Sequence, residues 1–225
     1  MNINDIINET LTEFFNETLN IEEDYPTSFD IDYFKTLQSF NKRALYCEQH
    51  LQRISSGSAR IVYKIDNEKV LKLAKNKKGL AQNEVEIEYG GDYYLQDVLA
   101  KVIDHNENNL WVEMELARKL TKPLFKSIVG VDFDTFADFI RSYYYETNPS
   151  KGRHMRSQDF DEETKEYMWE NEFTSGILDF IGSYGVPVND LARMNSYGVV
   201  KRDGQDTVVV IDFGLTDDVY DSYYK

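Results

Sequence analysis

Three oxygen-bearing side chains in the last part of the sequence have types and spacing that suit a metal and phosphate site. Asp190 and Asn195 are five positions apart within VNDLARMN, and Asp212 lies between a Val-Val-Val-Ile run and Phe-Gly. Carboxylate and amide oxygens are hard ligands suited to Mg²⁺. Carboxylates beside metal-bound phosphates are also what phosphoryl transfer requires. Each residue alone is equally an ordinary turn or cap residue, so the chemistry depends on the three being brought together.

A lysine within an apolar strand gives a second candidate group. Lys72 lies inside KVLKLAK, downstream of a small-residue turn at 55–59, SSGSA. Such a turn can bring backbone N–H groups against phosphate oxygens. Glu84 follows on a predicted helix, where its carboxylate would hold Lys72 in place; Glu88 is the alternative one turn further along that face, and Glu86 lies off it. A lone strand lysine would otherwise point to solvent.

The elements that must position these residues begin with helices and continue with strands. Apolar residues at spacings of three and four predict an amphipathic helix over 3–19, with an acidic outer face, and a second helix over about 30–46. Short runs of β-branched and aromatic residues then predict five strands. These strands are expected at residues 47–54, 60–65, 70–74, 98–104 and 110–117, with one helix from 79 to 90 inserted among them.

The second half of the chain has a different pattern. Residues 120–185 are mostly helical in periodicity, and 198–214 predict a β-hairpin around Asp203-Gly204. Because strands and helices are segregated rather than alternating, the order favours an α+β protein with two lobes.

Composition excludes several function classes. The chain has 225 residues, 41% of them hydrophobic, and a formal net charge of −15, which allows a sizeable core and disfavours a nucleic-acid partner. Its single cysteine, Cys47, rules out an intrachain disulfide and a thiolate zinc site. The first residues carry no basic signal-peptide region, and no apolar run approaches the roughly 20 residues of a membrane span. We therefore expect a soluble, cytoplasmic protein with no membrane partner.

Taken in order, these motifs resemble the signature set of the protein-kinase-like superfamily. DLARMN resembles the D-x-x-x-x-N loop, IDFG the D-F-G motif, VLKLA the V-A-I-K strand and VEMELA the hinge. The resemblance spans about residues 48–216. It implies a two-lobed α+β fold with a five-stranded antiparallel N-lobe sheet and a minimal, truncated helical C-lobe. The implied division is an N-terminal helical extension at 1–47, an N-lobe at 48–118 and a C-lobe at 119–225.

The resemblance also implies a role for each matching residue. Lys72 would contact the phosphates of ATP, with Glu84 or Glu88 as its partner, and Asp190 would orient or deprotonate the acceptor hydroxyl. Asn195 and Asp212 would bind Mg²⁺. The remaining implied cofactor-binding residues belong to the turn and to the adenine pocket with its hinge: Ser55, Ser56, Gly57, Ser58, Ala59, Met114, Glu115 and Ala117.

The chain departs from the family pattern at several points. Of the three glycines of the G-x-G-x-x-G loop only Gly57 remains, with Ser55 and the bulky Arg60 at the other two positions. Val188-Asn189 replaces the His-Arg that precedes the catalytic aspartate. Only eleven residues follow Gly214, so the A-P-E segment and later helices are expected to be missing or supplied differently, by the N-terminal helices or a partner.

Two function classes follow from the resemblance. The complete set of Lys72, Asp190, Asn195 and Asp212 favours an ATP- and Mg²⁺-dependent phosphotransferase that acts on a protein hydroxyl or, alternatively, on a small molecule. The second class is a pseudokinase, an interaction module in which the amphipathic N-terminal helix docks a partner. Compact kinase-like chains of this kind are similar to proteins of tailed phages, for which the expected location is the host cytoplasm.

Overall fold

The computed structural model describes residues 26, 28–150 and 159–224, so the predicted helix over 3–19 lies outside the described residues. The helices are, in chain order, α1 (Ile31–Thr36), α2 (Phe40–His50), α3 (Lys77–Gly90), α4 (Lys122–Val129), α5 (Phe133–Thr147), α6 (Glu162–Glu170), α7 (Glu172–Tyr184), α8 (Val188–Leu191) and α9 (Asp217–Tyr223). The strands are β1 (Gln52–Ser56), β2 (Arg60–Lys64), β3 (Lys69–Ala74), β4 (Val102–His105), β5 (Trp111–Glu115), β6 (Arg118–Lys119), β7 (Tyr197–Arg202) and β8 (Gln205–Val210).

The first five strands form one antiparallel sheet, which confirms the predicted α+β class and sheet. Their order is β1-β2-β3-β5-β4, so β3 is the central strand. In this register Lys72 lies opposite Val62 on one side and Val112 on the other. A central strand has its backbone groups paired on both edges, so it gives Lys72 a rigid base.

The start of β1 and the predicted helix over 30–46 differ from the sequence prediction. The region 30–50 forms two helices, α1 capped by Asp30 and α2 capped by Ser39, and α2 continues through Cys47 to His50. The strand predicted over 47–54 therefore begins only at Gln52. The physical reason is that Cys47 is fully buried on the inner face of α2, so its apolar side chain belongs to the helical period rather than to a strand.

Helices α1 and α2 pack on the five-stranded sheet and complete a core of their own. Phe34 is fully buried there, with its ring centroid 6.2 Å from that of Trp111 on β5 and 5.4 Å from that of Phe29. Leu71 of β3 and Tyr63 of β2 belong to the same buried cluster. The described part of the N-terminal region therefore packs against the sheet. The division at 1–47, 48–118 and 119–225 stays a prediction.

The second lobe is mostly helical and surrounds an aromatic core. Phe125 of α4 and Phe136 of α5 are fully buried, with ring centroids 5.2 Å apart, and both rings lie near Tyr197 of β7. Helix α7 adds a further buried stripe to this cluster. Within the described ranges, no helix has both the length and the apolar character that a bilayer crossing requires.

The predicted hairpin is confirmed, and it connects the two lobes. Asp203 and Gly204 both have positive φ, 51° and 78°, as the two-residue turn between β7 and β8 requires. At the far end of β8, Val210 donates its N–H to Val98 O at 2.8 Å and accepts from Ala100 N at 2.9 Å. These two bonds fix the backbone two residues before Asp212 against the segment that leads into β4.

We expect Phe34→Ala to lower the free energy of unfolding by about 3–5 kcal/mol, because it opens a cavity between α1 and the sheet. The matched control is Leu45→Ala on α2, whose side chain is 61% exposed and should cost no more than about 0.5 kcal/mol. Urea unfolding followed by circular dichroism measures both. Equal losses in the two variants would contradict the packing of α1 on the sheet.

Candidate active site

A cleft of about 540 Å³ lies where the turn before β2, the centre of β3, the end of β5 and the segment after β8 meet. This volume is within the range of small-molecule sites. The structure brings most of the predicted site residues to the cleft wall: Ser55, Gly57, Ser58, Ala59, Lys72, Met114, Glu115, Ala117, Asn195 and Asp212. Ser56, Glu84 and Asp190 do not line it.

Lys72 points inward from β3 and is only 5% exposed. Its Nζ donates to Glu86 Oε1 at 2.8 Å and to the backbone oxygen of Ile211 at 2.7 Å. Burial lowers the pKa of Lys72, an effect that the negative charge of Glu86 partly offsets. The strand lysine is therefore held by one carboxylate and one carbonyl at the cleft, rather than extended into solvent.

The partner of Lys72 is Glu86, so the prediction of Glu84, with Glu88 as its alternative, is wrong. Glu84 and Glu88 are exposed, whereas Glu86 is fully buried. The reason is the rotation of α3, whose buried residues Gly79, Gln82, Asn83 and Glu86 recur at spacings of three and four. This inner face is almost entirely polar, so a search for apolar periodicity does not find it.

Two local features fix the position of α3. Asn76 caps the helix by accepting from the backbone N–H groups of Lys78 and Gly79. Gly79 lies so close to the turn before β2 that a Cβ there would be 2.3 Å from Ala59 O. The glycine therefore permits the close approach that turns Glu86 toward Lys72.

Arg60 is a site residue whose role the sequence did not reveal. It occupies the third glycine position of the loop motif, and its guanidinium is buried. Nη1 lies 2.6 Å from Glu86 Oε2, and Nη2 lies 2.6 Å from Asp212 Oδ1. The Arg60 side chain extends toward α3 and Asp212. With Lys72, Glu86 and Asp212 it forms a cluster of two cations and two carboxylates.

The charges of this cluster determine the pKa shifts of its members. Burial alone would raise the pKa of Glu86, but the positive charges of Arg60 and Lys72 outweigh it and hold that pKa below its usual range. Burial would likewise lower the pKa of Arg60, but Glu86 and Asp212 outweigh it and raise that pKa. Both partners of this buried pair therefore stay charged.

The Asp212-Phe213-Gly214 segment lies directly on α3. The Phe213 N–H donates to Glu86 Oε1 at 3.4 Å, and the buried Phe213 ring lies 6.0 Å from Lys72 Nζ. A Cβ on Gly214 would be 2.5 Å from Gln82 O, so only glycine allows this contact without a shift of the helix. The side chain of Asp212 remains 68% exposed at the cleft.

Asp190 and Asn195, in the segment that resembles the D-x-x-x-x-N loop, lie on two short consecutive helical turns. Asp190 belongs to α8 and Asn195 to a 3₁₀ turn, and the Ser196 hydroxyl joins the two by donating to Asp190 O at 2.6 Å. The Asp190 carboxylate forms an ion pair with Arg193 at 3.2 Å. Burial raises the pKa of Asp190, Arg193 opposes this, and the charge of Asp212 raises it further.

The residues present fit a magnesium ion that also binds phosphate. Asn195 and Asp212 offer one amide oxygen and one carboxylate at the same cleft. Among the described residues, no group of three or more His, Cys, Asp or Glu side chains could hold a metal by itself. Mg²⁺ in proteins commonly takes one or two carboxylates and completes its shell with substrate phosphates and water, which matches this small donor set.

The segment after α9 adds to the cleft a residue that the motif set does not contain. Tyr224, which follows α9, lines the cleft and accepts from Gln82 Nε2 at 3.1 Å. The Lys78 ammonium lies 4.0 Å from the centre of the Tyr224 ring. The region after the D-F-G motif therefore returns to α3 and stabilises the helix that carries Glu86.

Comparison with known proteins gives distant structural likenesses. No family model matches the sequence, and no curated protein sequence matches it. Among solved structures, the streptomycin–ATP ternary complex of APH(2″)-IIa is 15% identical over 80% of this chain and 71% of that chain, with a TM-score of 0.34. SAICAR-synthase from Saccharomyces cerevisiae is 12% identical over 75% and 74% of the two chains, with a TM-score of 0.38. ADP-bound aminoglycoside phosphotransferase APH(2″)-Ib is 16% identical over 79% and 71%, with a TM-score of 0.35.

The observed elements correspond to those that the motif resemblance implied. A five-stranded antiparallel sheet carries the strand lysine, the helix after that strand supplies its glutamate, and a hairpin leads into Asp-Phe-Gly.

We expect Gly214→Ala to lower the free energy of unfolding by about 1–3 kcal/mol, because the new methyl group must push the Gln82 backbone and α3 away. Gly57→Ala is the matched control, since a Cβ there would meet only Arg60 O at 4.0 Å. It should change stability by no more than about 0.5 kcal/mol. Thermal unfolding of both variants checks this, and equal stability of the two would contradict the close contact at Gly214.

Proposed function

We propose that this protein is a phosphotransferase that moves the terminal phosphoryl group of ATP to a hydroxyl acceptor. The observation that supports this most strongly is the arrangement around Lys72. Its Nζ is fixed by Glu86 and by Ile211 O, and it shares one cleft with Asn195 and Asp212. A positioned ammonium beside two hard oxygen ligands suits the binding of a nucleoside triphosphate with its metal ion.

Each residue has a separate task in this proposal. An ammonium has three N–H donors, and Lys72 uses two of them within the protein, so the third is directed to a phosphate oxygen. Asn195 and Asp212 would hold Mg²⁺, and the ion would supply positive charge to neutralise the phosphates. Met114, Glu115 and Ala117 form the wall that meets the base, and the turn between β1 and β2, with Gly57, Ser58 and Ala59, covers the phosphates.

Asp190 acts on the acceptor. The hydroxyl oxygen of the acceptor forms the new bond to the terminal phosphorus, the bond from that phosphorus to ADP breaks, and Asp190 takes the hydroxyl proton. The raised pKa of Asp190 brings this carboxylate closer to the neutral range in which a general base is efficient.

The acceptor is a hydroxyl group on a protein or on a small molecule. The formal net charge of −15 raises the local concentration of cationic acceptors around this chain. Basic peptides and cationic small molecules with hydroxyl groups are therefore the two acceptor sets to test first.

A second candidate function, nucleotide binding without transfer, is favoured by one specific contact. Arg60 Nη2 lies 2.6 Å from Asp212 Oδ1 and so occupies part of the carboxylate that the metal needs. If this contact persists with nucleotide present, the chain would act as a nucleotide-binding interaction module. The experiment below separates the two functions.

Transfer of radiolabelled phosphate from ATP to the acceptor sets should require Asp190. We expect Asp190→Asn to lower the rate by about 10²–10⁴-fold, because the proton acceptor is lost, while nucleotide affinity by calorimetry stays close to wild type. Asp32→Asn on the exposed side of α1 is the control and should keep the full rate. Nucleotide binding with no transfer to any acceptor would overturn the phosphotransferase and leave the interaction module.

Replacement of Arg193 should shift the acid limb of the pH profile of kcat/KM. A general base works when deprotonated, so activity falls as pH drops through the pKa of Asp190, which burial already raises. Arg193 lowers that pKa, so Arg193→Gln should move the acid limb of kcat/KM to higher pH. The Asp190 carboxyl titration by ¹³C NMR should move in the same direction. The control is Arg53→Gln, which removes a charge from an exposed ion pair on β1. If the acid limb of kcat/KM does not move in Arg193→Gln, Asp190 is excluded as the titrating group.

A further inference from the structure

Among the described residues that line the cleft, Arg60 carries a buried guanidinium for which the proposed chemistry has no task. Its side chain is 8% exposed, and both terminal nitrogens are used, one on Glu86 and one on Asp212. Asn83 Oδ1 accepts a longer bond from Nη1 at 3.4 Å. An arginine with two separate carboxylate partners is fixed in position, because either contact restricts the other.

The charge of Arg60 balances the cluster. Lys72 and Arg60 contribute two positive charges, and Glu86 and Asp212 contribute two negative charges, so the formal sum is zero. Without Arg60, the buried Glu86 would keep one cationic partner and Asp212 would lose its ion pair. The guanidinium therefore makes it possible for Asp212 to approach α3 before any other cation is present.

The same contact affects how Asp212 meets a metal ion. Asp212 Oδ1 is engaged at 2.6 Å, while the side chain as a whole stays 68% exposed, so part of the carboxylate still faces the cleft. A neighbouring positive charge weakens the attraction of a carboxylate for a second cation. Arg60 and a divalent cation are thus competitors for one carboxylate.

We propose that Arg60 is a positioning residue that holds Asp212 against Glu86 and, by competing for Asp212, sets the divalent-metal affinity of the cleft. This inference rests on the proposed function only in taking Asp212 as a metal ligand. It predicts that removal of the guanidinium strengthens metal binding, although it removes a contact from the site.

The test is a Mn²⁺ titration of the protein alone, followed by electron paramagnetic resonance and water proton relaxation. We expect Arg60→Gln to bind Mn²⁺ about 2–5-fold more tightly than wild type, the factor that corresponds to a partly exposed ion pair. In Asp212→Asn binding should weaken, and adding Arg60→Gln to Asp212→Asn should bring no gain. Unchanged or weaker Mn²⁺ binding in Arg60→Gln would overturn the proposal.

Two controls separate this effect from changes in net charge and in folding. Arg53→Gln changes the net charge by the same amount at an exposed position of β1, so it should leave Mn²⁺ affinity unchanged; an equal gain there would overturn the proposal. If Arg60→Gln does not fold, as judged by circular dichroism, Arg60→Lys takes its place. A single ammonium cannot hold two carboxylates in the way a guanidinium does, so Arg60→Lys should also gain affinity, by a smaller factor.

The result is independent of phosphoryl transfer. Tighter Mn²⁺ binding in Arg60→Gln together with no transfer to any acceptor would support the role of Arg60 and overturn the phosphotransferase. Asp190-dependent transfer together with unchanged Mn²⁺ affinity in Arg60→Gln would support the phosphotransferase and overturn the role of Arg60.

Discussion

The buried carboxylate of Glu86 is the interaction on which the rest of the site depends. Removing a carboxylate from water costs several kcal/mol unless cations and hydrogen bonds compensate, and removing one partner of a buried pair is strongly destabilising. Here the compensation comes from Lys72 on β3, Arg60 on β2 and the Phe213 N–H. One side chain of α3 therefore joins two strands of the sheet to the segment that carries Asp212.

This requirement explains where the backbone must come close. Glu86 reaches its partners only if α3 lies tightly against the turn before β2 and the D-F-G segment lies tightly against α3. Glycines occupy both contacts, Gly79 beside Ala59 O and Gly214 beside Gln82 O. Tyr224 then adds a further contact to the inner face of the same helix through Gln82. The ion pairs of Glu86 and the close backbone contacts at the two glycines depend on each other. The buried carboxylate stays within reach of its partners only if α3 is displaced very little.

The sequence was sufficient for the parts of the fold that follow simple periods. The apolar strand around Lys72, the hairpin at Asp203-Gly204 and the segregation of strands from helices were all predictable from residue type and spacing. The role of Glu86 was not predictable, because the inner face of α3 is polar and shows no apolar periodicity. Cys47 misled for a different reason: the segment 47–54 holds only three apolar residues, too few to separate a strand from the buried side of a helix. The ion pairs of Arg60 join residues far apart in the chain, and no local pattern records them.

If Asp212 binds a metal ion as proposed, Arg60, which stands where the resembled loop motif has a glycine, has opposite consequences for assembly and for ligand binding. A site whose charged groups are already in place spends little free energy on reorganisation when its ligand arrives. A guanidinium that fixes Asp212 would provide this preorganisation, since it supplies the positive charge that would otherwise come only with the proposed metal. The proposed metal ion would then have to outcompete the Arg60 guanidinium for Asp212 or displace the guanidinium from that carboxylate. Because Glu86 retains Lys72 after such a displacement, the strand-to-helix connection can persist while Asp212 changes partner. Under the proposed role of Arg60, the glutamate maintains the architecture, and the arginine would determine how readily the aspartate is released to bind a cation.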